Sequence, residues 1–242
     1  MAVRAHRLQS AKPLTISRWW SSGYYGQPIA FVDQSVLFYA IDDGLRFQDF
    51  IDKDYQQCTT LQANGTGVGT IAGNADMHIF AYADYQNPPV IHLREYPTMN
   101  EIKQFTNGAE FEYSALEFSA TDELLSLSTA PDYLLTIWNW RTGMKLAQCQ
   151  TTKKELVEIS FNPNSWYDIG ILYRDQINFY TCERRNDKYT LFERQLPLEL
   201  FNQTTAHNQP THQRSQVSYP KKSMRKYKLM ICFLQIFIEY IF

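Results

Sequence analysis

Glycine and proline are scarce in this chain, ten of each among 242 residues, which excludes collagen-like and low-complexity architectures. Cysteine is scarcer still. Cys58, Cys149, Cys182 and Cys232 stand far apart with no C-x-x-C pair, a pattern that argues against a disulfide framework or a zinc site and for reduced, buried thiols. No apolar run reaches the roughly 20 residues that cross a bilayer, and the first residues hold no apolar core of a secretory leader. The sequons Asn64-Gly65-Thr66 and Asn202-Gln203-Thr204 therefore read as chance matches. Arg4, His6, Arg7 and Lys12 hint at a mitochondrial presequence, but Pro13 and the lack of an amphipathic stripe argue against one. Sustained helical periodicity is also missing as far as Leu200.

Aromatic residues are abundant instead, with 16 Tyr, 15 Phe and 5 Trp, and they favour the half-buried pleated surface of a β-sheet. The segment Leu134-Leu135-Thr136-Ile137-Trp138-Asn139-Trp140-Arg141-Thr142-Gly143 has the form of a propeller blade closing its third strand: a β-rich run, Trp, a small polar residue and a Thr-Gly turn. Its neighbours repeat it in degraded form. The opening strands Val68–Ala72, Tyr113–Ser119 and Leu156–Asn162 recur with Ile71, Leu116 and Ile159 spaced by 45 and 43 residues. The closing strands around Ile91, Ile137 and Ile177 recur at 46 and 40. A period of roughly 40 to 45 residues with four short strands per unit is the pattern of WD-type blades, which bury their faces only by stacking around an axis.

The expected fold is all-β: a WD40-type β-propeller of about four blades, a partial ring, with a non-propeller C-terminal tail. A first blade is readable from Gln27 to Gln62, with strands at Ala30–Val32, Val36–Ala40 and Gly44–Phe50. Seven blades would need roughly 300 residues, so the chain reads as a fragment or a partnered arc. The organisation expected is an irregular or disordered N-terminus over residues 1–17, blades over 18–200, a polar then basic linker over 201–228 and a short apolar tail over 229–242. Turn signals at Asn87-Pro88-Pro89, Tyr96-Pro97-Thr98, Asn107-Gly108 and Asn162-Pro163-Asn164 separate the strands.

Chemistry-bearing patterns are weak. Gly65-Thr66-Gly67-Val68-Gly69 lacks the strand before and helix after that a phosphate-cradling loop needs, and reads as the connection into an inner strand. His78 and His92 fall within reach of Asp76 or Asp84, yet no motif brings a nucleophile, a base and an orienting group together. Trp138 and Trp140 share a strand face and read as blade-to-blade packing. Arg184, Arg185 and Lys188, balanced by Glu183 and Asp187, read as a solvated turn. Residues 1–200 carry 17 basic and 24 acidic side chains, a balance that gives no phosphate-binding surface, so nucleic acid is not an expected partner. No catalytic, cofactor-binding or metal-binding residue is assigned, no cofactor is implied, and the binding residues are unknown.

The stretches Ser128–Trp140 and Ile159–Trp166, with Arg18-Trp19, Gly67-Val68-Gly69 and Gln195-Leu196-Pro197-Leu198-Glu199, resemble the N-terminal propeller of the cilia- and flagella-associated protein 43 family, over roughly residues 18 to 200. The resemblance implies a non-catalytic WD-repeat scaffold of the axoneme, in the cytoplasm, cytoskeleton and cilium or flagellum. Its implied partners are a sister axonemal WD-repeat protein, inner-arm dynein and the doublet microtubule, and its implied role is to tether dynein heads and support flagellar motility and sperm function. The family's second propeller and coiled coil have no counterpart here. The alternative is a general cytosolic WD-repeat adaptor for complex assembly, alike only through shared blade constraints.

Residues 201–242 carry six basic side chains and one acidic. Their polar stretch is too poor in apolar residues to build a core. The following 14 residues, Leu229–Phe242, fall short of a membrane span and include Glu239, which is costly in hydrocarbon. Membrane attachment is thus disfavoured, and the tail reads as an addition to the propeller. Deleting residues 201–242 is expected to leave the blades folded, with circular dichroism and the melting transition unchanged; aggregation of the shortened chain would show that the tail covers a blade face.

Overall fold

The computed structural model describes residues 29–41, 43–49, 58–63 and 67–194. They form four antiparallel sheets of four strands, each a meander in chain order. Blade 1 comprises β1 (Ile29–Phe31), β2 (Val36–Ile41), β3 (Gly44–Asp49) and β4 (Cys58–Gln62), and blade 2 comprises β5 (Val68–Asn74), β6 (Ile79–Asp84), β7 (Ile91–Glu95) and β8 (Glu101–Phe105). Blade 3 follows with β9 (Tyr113–Phe118), β10 (Glu123–Ser128), β11 (Leu134–Asn139) and β12 (Met144–Gln150). Blade 4 is β13 (Leu156–Asn162), β14 (Ser165–Tyr173), β15 (Ile177–Arg185) and β16 (Lys188–Arg194). The expectations for residues 1–17, Arg18-Trp19, Gln195–Glu199, the linker and the apolar tail lie outside the described residues.

First strands stack on first strands: β1 on β5, β5 on β9 and β9 on β13. Among the described residues β13 is not packed on β1 in this way, so the arc stays open between the fourth blade and the first. Each seam holds one hydrophobic cluster. Phe38, Phe47, Phe80 and Tyr82 fill the seam of blades 1 and 2; Ile91, Leu93, Phe105, Leu116 and Trp138 fill the next; Leu125, Ile137, Ile159, Ile171 and Tyr180 fill the third. The second strands β6 and β10 are buried along their whole length, because sheets lie against both of their faces. Such strands read as continuous apolar runs without clean alternation.

Register bears out the repeat. Ile71 pairs with Tyr82, Leu116 with Ser126 and Ile159 with Ile171, at matching places in the three sheets. The closing strands need one correction. Ile91 pairs with Ala83, Leu135 with Leu127 and Ile177 with Leu172, so the residue equivalent to Ile91 and Ile177 is Leu135 and not Ile137. The spacings become 44 and 42 residues, close to those of the opening strands. Met77 and His78 belong to the turn that precedes β6. The Asn74 side-chain oxygen accepts the Met77 N–H at 3.1 Å and holds that turn.

Trp138 joins blades 2 and 3. Its indole N–H donates to Ser126 Oγ at 2.9 Å, its ring meets Phe105 at 5.4 Å, and Lys145 Nζ lies 5.2 Å above it. Gly108 makes the close approach feasible, since a Cβ there would sit 2.6 Å from the Trp138 ring and 2.5 Å from the Tyr113 hydroxyl. Trp140, just past β11, is buried in the same cluster. Replacing Trp138 with Ala empties this volume and orphans the buried Ser126 hydroxyl; chemical denaturation is expected to show a loss of about 3 to 5 kcal/mol, and a change within error would mean that the seam does not depend on this ring.

Candidate functional site

Blade 2 contains a buried ion cluster at its seam with blade 1. His92 is the second residue of β7, opposite Tyr82 of β6, and the two rings stack at 4.8 Å. Its Nε2 lies 2.9 Å from Asp84 Oδ2, and its Nδ1 lies 2.8 Å from Glu101 Oε2. Asp84 closes β6, and its other oxygen accepts the backbone N–H groups of Val90 (2.8 Å) and Gln86 (3.3 Å). Glu101 opens β8 and also accepts from Arg94 at 3.3 Å and from the Gln104 amide at 2.8 Å. Burial opposes a charged His92, but hydrogen bonds to the two carboxylates outweigh it and raise its pKa above the ordinary value. Burial likewise opposes the charge on Asp84, yet the His92 hydrogen bond and the two backbone donors carry its pKa below the usual carboxylate range.

These groups hold protons and tie three strands together. Among the described residues the ring nitrogens of His92 both face carboxylates, an arrangement that holds a proton between strands. The structure brings His92 to Asp84 as the sequence allowed, but separates the other pair: His78 faces Asp33 at 3.3 Å, and Asp76 meets the Gln34 amide at 3.5 Å. Glu101 escaped the sequence reading, because only the fold of the β7–β8 hairpin brings it under His92. Of the glycine-rich segment, Gly67 has φ 86° and leads into β5 at Val68, in keeping with a strand connection, while residues 64–66, with the first sequon, lie outside the described residues. A groove of about 240 Å³ lies between the first turns of blades 2 and 3, lined by Asn74, Asp76, Met77, Phe118 and Ser119. Ser119 donates there to Glu123 at 2.8 Å.

Aromatic and cationic side chains come together at the outer end of blade 4. Trp166 stacks on Tyr167 at 4.1 Å and meets Tyr189 edge-on at 5.4 Å. Arg184 lies 5.7 Å over Tyr189, and Arg185 lies 5.5 Å over the exposed ring of Phe192. The arginines also pair with Asp187 (2.8 Å) and Glu183 (2.6 Å). The solvated turn expected from the charges is therefore also an aromatic surface. Cys149 and Cys182 carry free thiols, both pushed up to about 12 by burial. Glu117 of β9 is half-buried at the seam of blades 3 and 4; burial, then the like charge of Glu158 on β13, pushes it up to about 7.

No family model matches the chain. It is 27% identical to mouse cilia- and flagella-associated protein 43 over 188 residues, 76% of this chain and 11% of that protein. Against the Xenopus laevis protein of the same name identity is 25% over 204 residues, 83% of this chain and 12% of that one. The chain is similar to cilia- and flagella-associated proteins. Mouse cilia- and flagella-associated protein 44 is 28% identical over 138 residues, 57% of this chain and 7% of that protein. The chain thus spans about a tenth of the length of the curated relatives it matches. Among solved structures it is similar to a chain of the mitotic checkpoint complex, with TM-score 0.57, 15% identity, and coverage of 69% of this chain and 50% of that one. Kluyveromyces lactis Hsv2p gives TM-score 0.55 at 12% identity, covering 67% of this chain and 58% of that one. Both likenesses are of fold, and the chain matches 50% of one WD40 propeller chain and 58% of the other.

Glu117 supplies a pH test of the inner seam. Its folded pKa lies above the ordinary 4.5, so folding favours the protonated form and stability falls as pH rises from about 4.5 through about 7. Glu117→Gln is expected to be more stable than the parent at pH 8 by about 1 to 2 kcal/mol, with the gain vanishing below the unfolded pKa. A gain of equal size at acidic and alkaline pH, read from denaturation curves, would contradict this origin.

Proposed function

We propose that this chain is a non-catalytic propeller scaffold of the ciliary or flagellar cytoskeleton, acting through protein contacts on its surface. The observation that carries this reading is the match to cilia- and flagella-associated protein 43 from two vertebrates over 76% and 83% of the chain. In its finer form the reading places the chain in the axoneme, where with a sister WD-repeat protein it helps hold inner-arm dynein heads to the doublet microtubule and supports flagellar motility and sperm function. The surface best suited to a protein contact is the outer end of blade 4. Trp, Tyr and Arg are the residues that dominate interface energetics, and Trp166, Tyr167, Tyr189, Arg184 and Arg185 gather there. Propellers host many functions, so the fold supports a platform and the relatives supply its place.

A tagged full chain expressed in flagellated cells tests the proposal. The expected result is a signal along the flagellum that survives detergent extraction and leaves at high salt. The double variant Arg184→Glu, Arg185→Glu, at two exposed side chains, is expected to lower the retained fraction several-fold with an unchanged melting transition. A uniform cytosolic signal lost on detergent treatment would instead mark a general WD-repeat adaptor.

A further inference from the structure

The third strand of each of blades 2, 3 and 4 carries one buried polar side chain at a matching register position, and each is tied to its blade's outermost strand. In blade 3 the Thr136 hydroxyl accepts the Gln148 amide of β12 at 2.9 Å. In blade 4 the Asn178 amide donates to Glu193 of β16 at 2.7 Å. His92 and Glu101 of β8 hold the same place in blade 2. Neither Thr136 nor Asn178 titrates, whereas the His92 imidazole does.

We propose that His92 is a pH-sensitive latch that holds the outer strand β8 onto blade 2 while its ring is doubly protonated and releases the Glu101 end of β8 when the ring loses a proton. The geometry dictates both states. With ionised Asp84 and Glu101 each ring nitrogen faces an acceptor, so both contacts are hydrogen bonds only for the imidazolium. On deprotonation one nitrogen keeps its hydrogen, and it is Nε2, because the Asp84 side chain is 0% exposed and fixed by Val90 and Gln86. The proton leaves Nδ1 for solvent. Its lone pair then confronts Glu101 Oε2 at 2.8 Å, and Glu101, 31% exposed, is the partner that can turn to water.

The other groups on this face reinforce the asymmetry. Tyr82 of β6 stacks on the ring, and Arg94 of β7 competes for Glu101. Blade 1 presents Leu45, Phe47, Leu61 and Ala63 to the seam, while its carboxylates Asp33 and Asp49 act on Tyr96. The raised His92 pKa places the loss above the ordinary histidine value. Latch stability is complete below about 6.5 and disappears as pH rises through the folded pKa. At the acid end the lowered Asp84 pKa preserves the Nε2 contact to below the ordinary carboxylate value.

The experiment uses the full chain and needs no variant at its core. Ring nitrogen spectra of His92 are recorded from about pH 5.5 to about pH 9, with amide hydrogen exchange of β8 compared at each pH with β12 and β16 as internal references for the intrinsic base-catalysed rise. The expected result is a ring still doubly protonated above pH 6.5, and protection of β8 that falls relative to β12 and β16 across the His92 midpoint. Glu101→Gln is expected to lower that midpoint by about one unit or more. A midpoint at or below the free value, or β8 exchange that tracks the two reference strands throughout, would overturn the latch.

Discussion

The covering of apolar sheet faces governs this structure at every level. A four-stranded sheet such as blade 2 or blade 3 has apolar side chains on both faces, and neither face can remain in water without cost on the order of 25 cal/mol per Å². Neighbouring blades remove that surface. Phe38, Phe47 and Phe80, with ring centroids 5.0 to 5.4 Å apart, bridge the first seam. Inner strands approach so closely that a Cβ on Gly73 would lie 2.0 Å from the Phe31 carbonyl oxygen. Stability is therefore shared between blades, as in other stacked repeats.

Buried seams make polar groups consequential. Buried Ser126, Thr136 and Asn178 each have a side-chain partner, and His92 has two. An unpaired group at such a site would cost its full desolvation, so these pairs favour one register over its slipped alternatives. Lysines sew the seam from outside: Lys103 of blade 2 donates to the Arg141 carbonyl of blade 3 at 2.9 Å, and Lys145 of blade 3 donates back to the Asn107 carbonyl at 2.7 Å. The same stacking that builds the body leaves the rims and outer edges free for partners. That division suits a platform, and the chain is similar to cilia- and flagella-associated proteins.

Much of the fold was legible in the residues. The run from Leu134 to Gly143 closes a blade as its pattern suggested: Asn139 accepts the Thr142 N–H at 2.8 Å, and Gly143 takes the left-handed φ of 81° that ends the turn. Ile71, Leu116 and Ile159 occupy equivalent positions because inner strands tolerate little length variation between blades. The shift from Ile137 to Leu135 arose where the pattern was densest, since Leu134 to Trp138 is apolar at nearly every step and gives no phase. His78 drifted from Asp76 to Asp33 because its partner comes from another blade, and no local spacing encodes that contact.

By itself the sequence determined the module: period, strand count, meander order and an aromatic surplus that only stacked sheets can bury. These follow from short-range rules, namely alternation, turn chemistry and loop length. The tertiary structure alone decided which polar groups meet, how Glu101 comes under His92, why Glu117 is held near a neutral proton affinity, and where Trp166, Tyr189 and Arg184 form one surface. Such outcomes depend on distances between residues 5 to 41 positions apart, set by sheet register and blade packing. A linear pattern carries the period of a repeat but not the angle at which one copy meets the next.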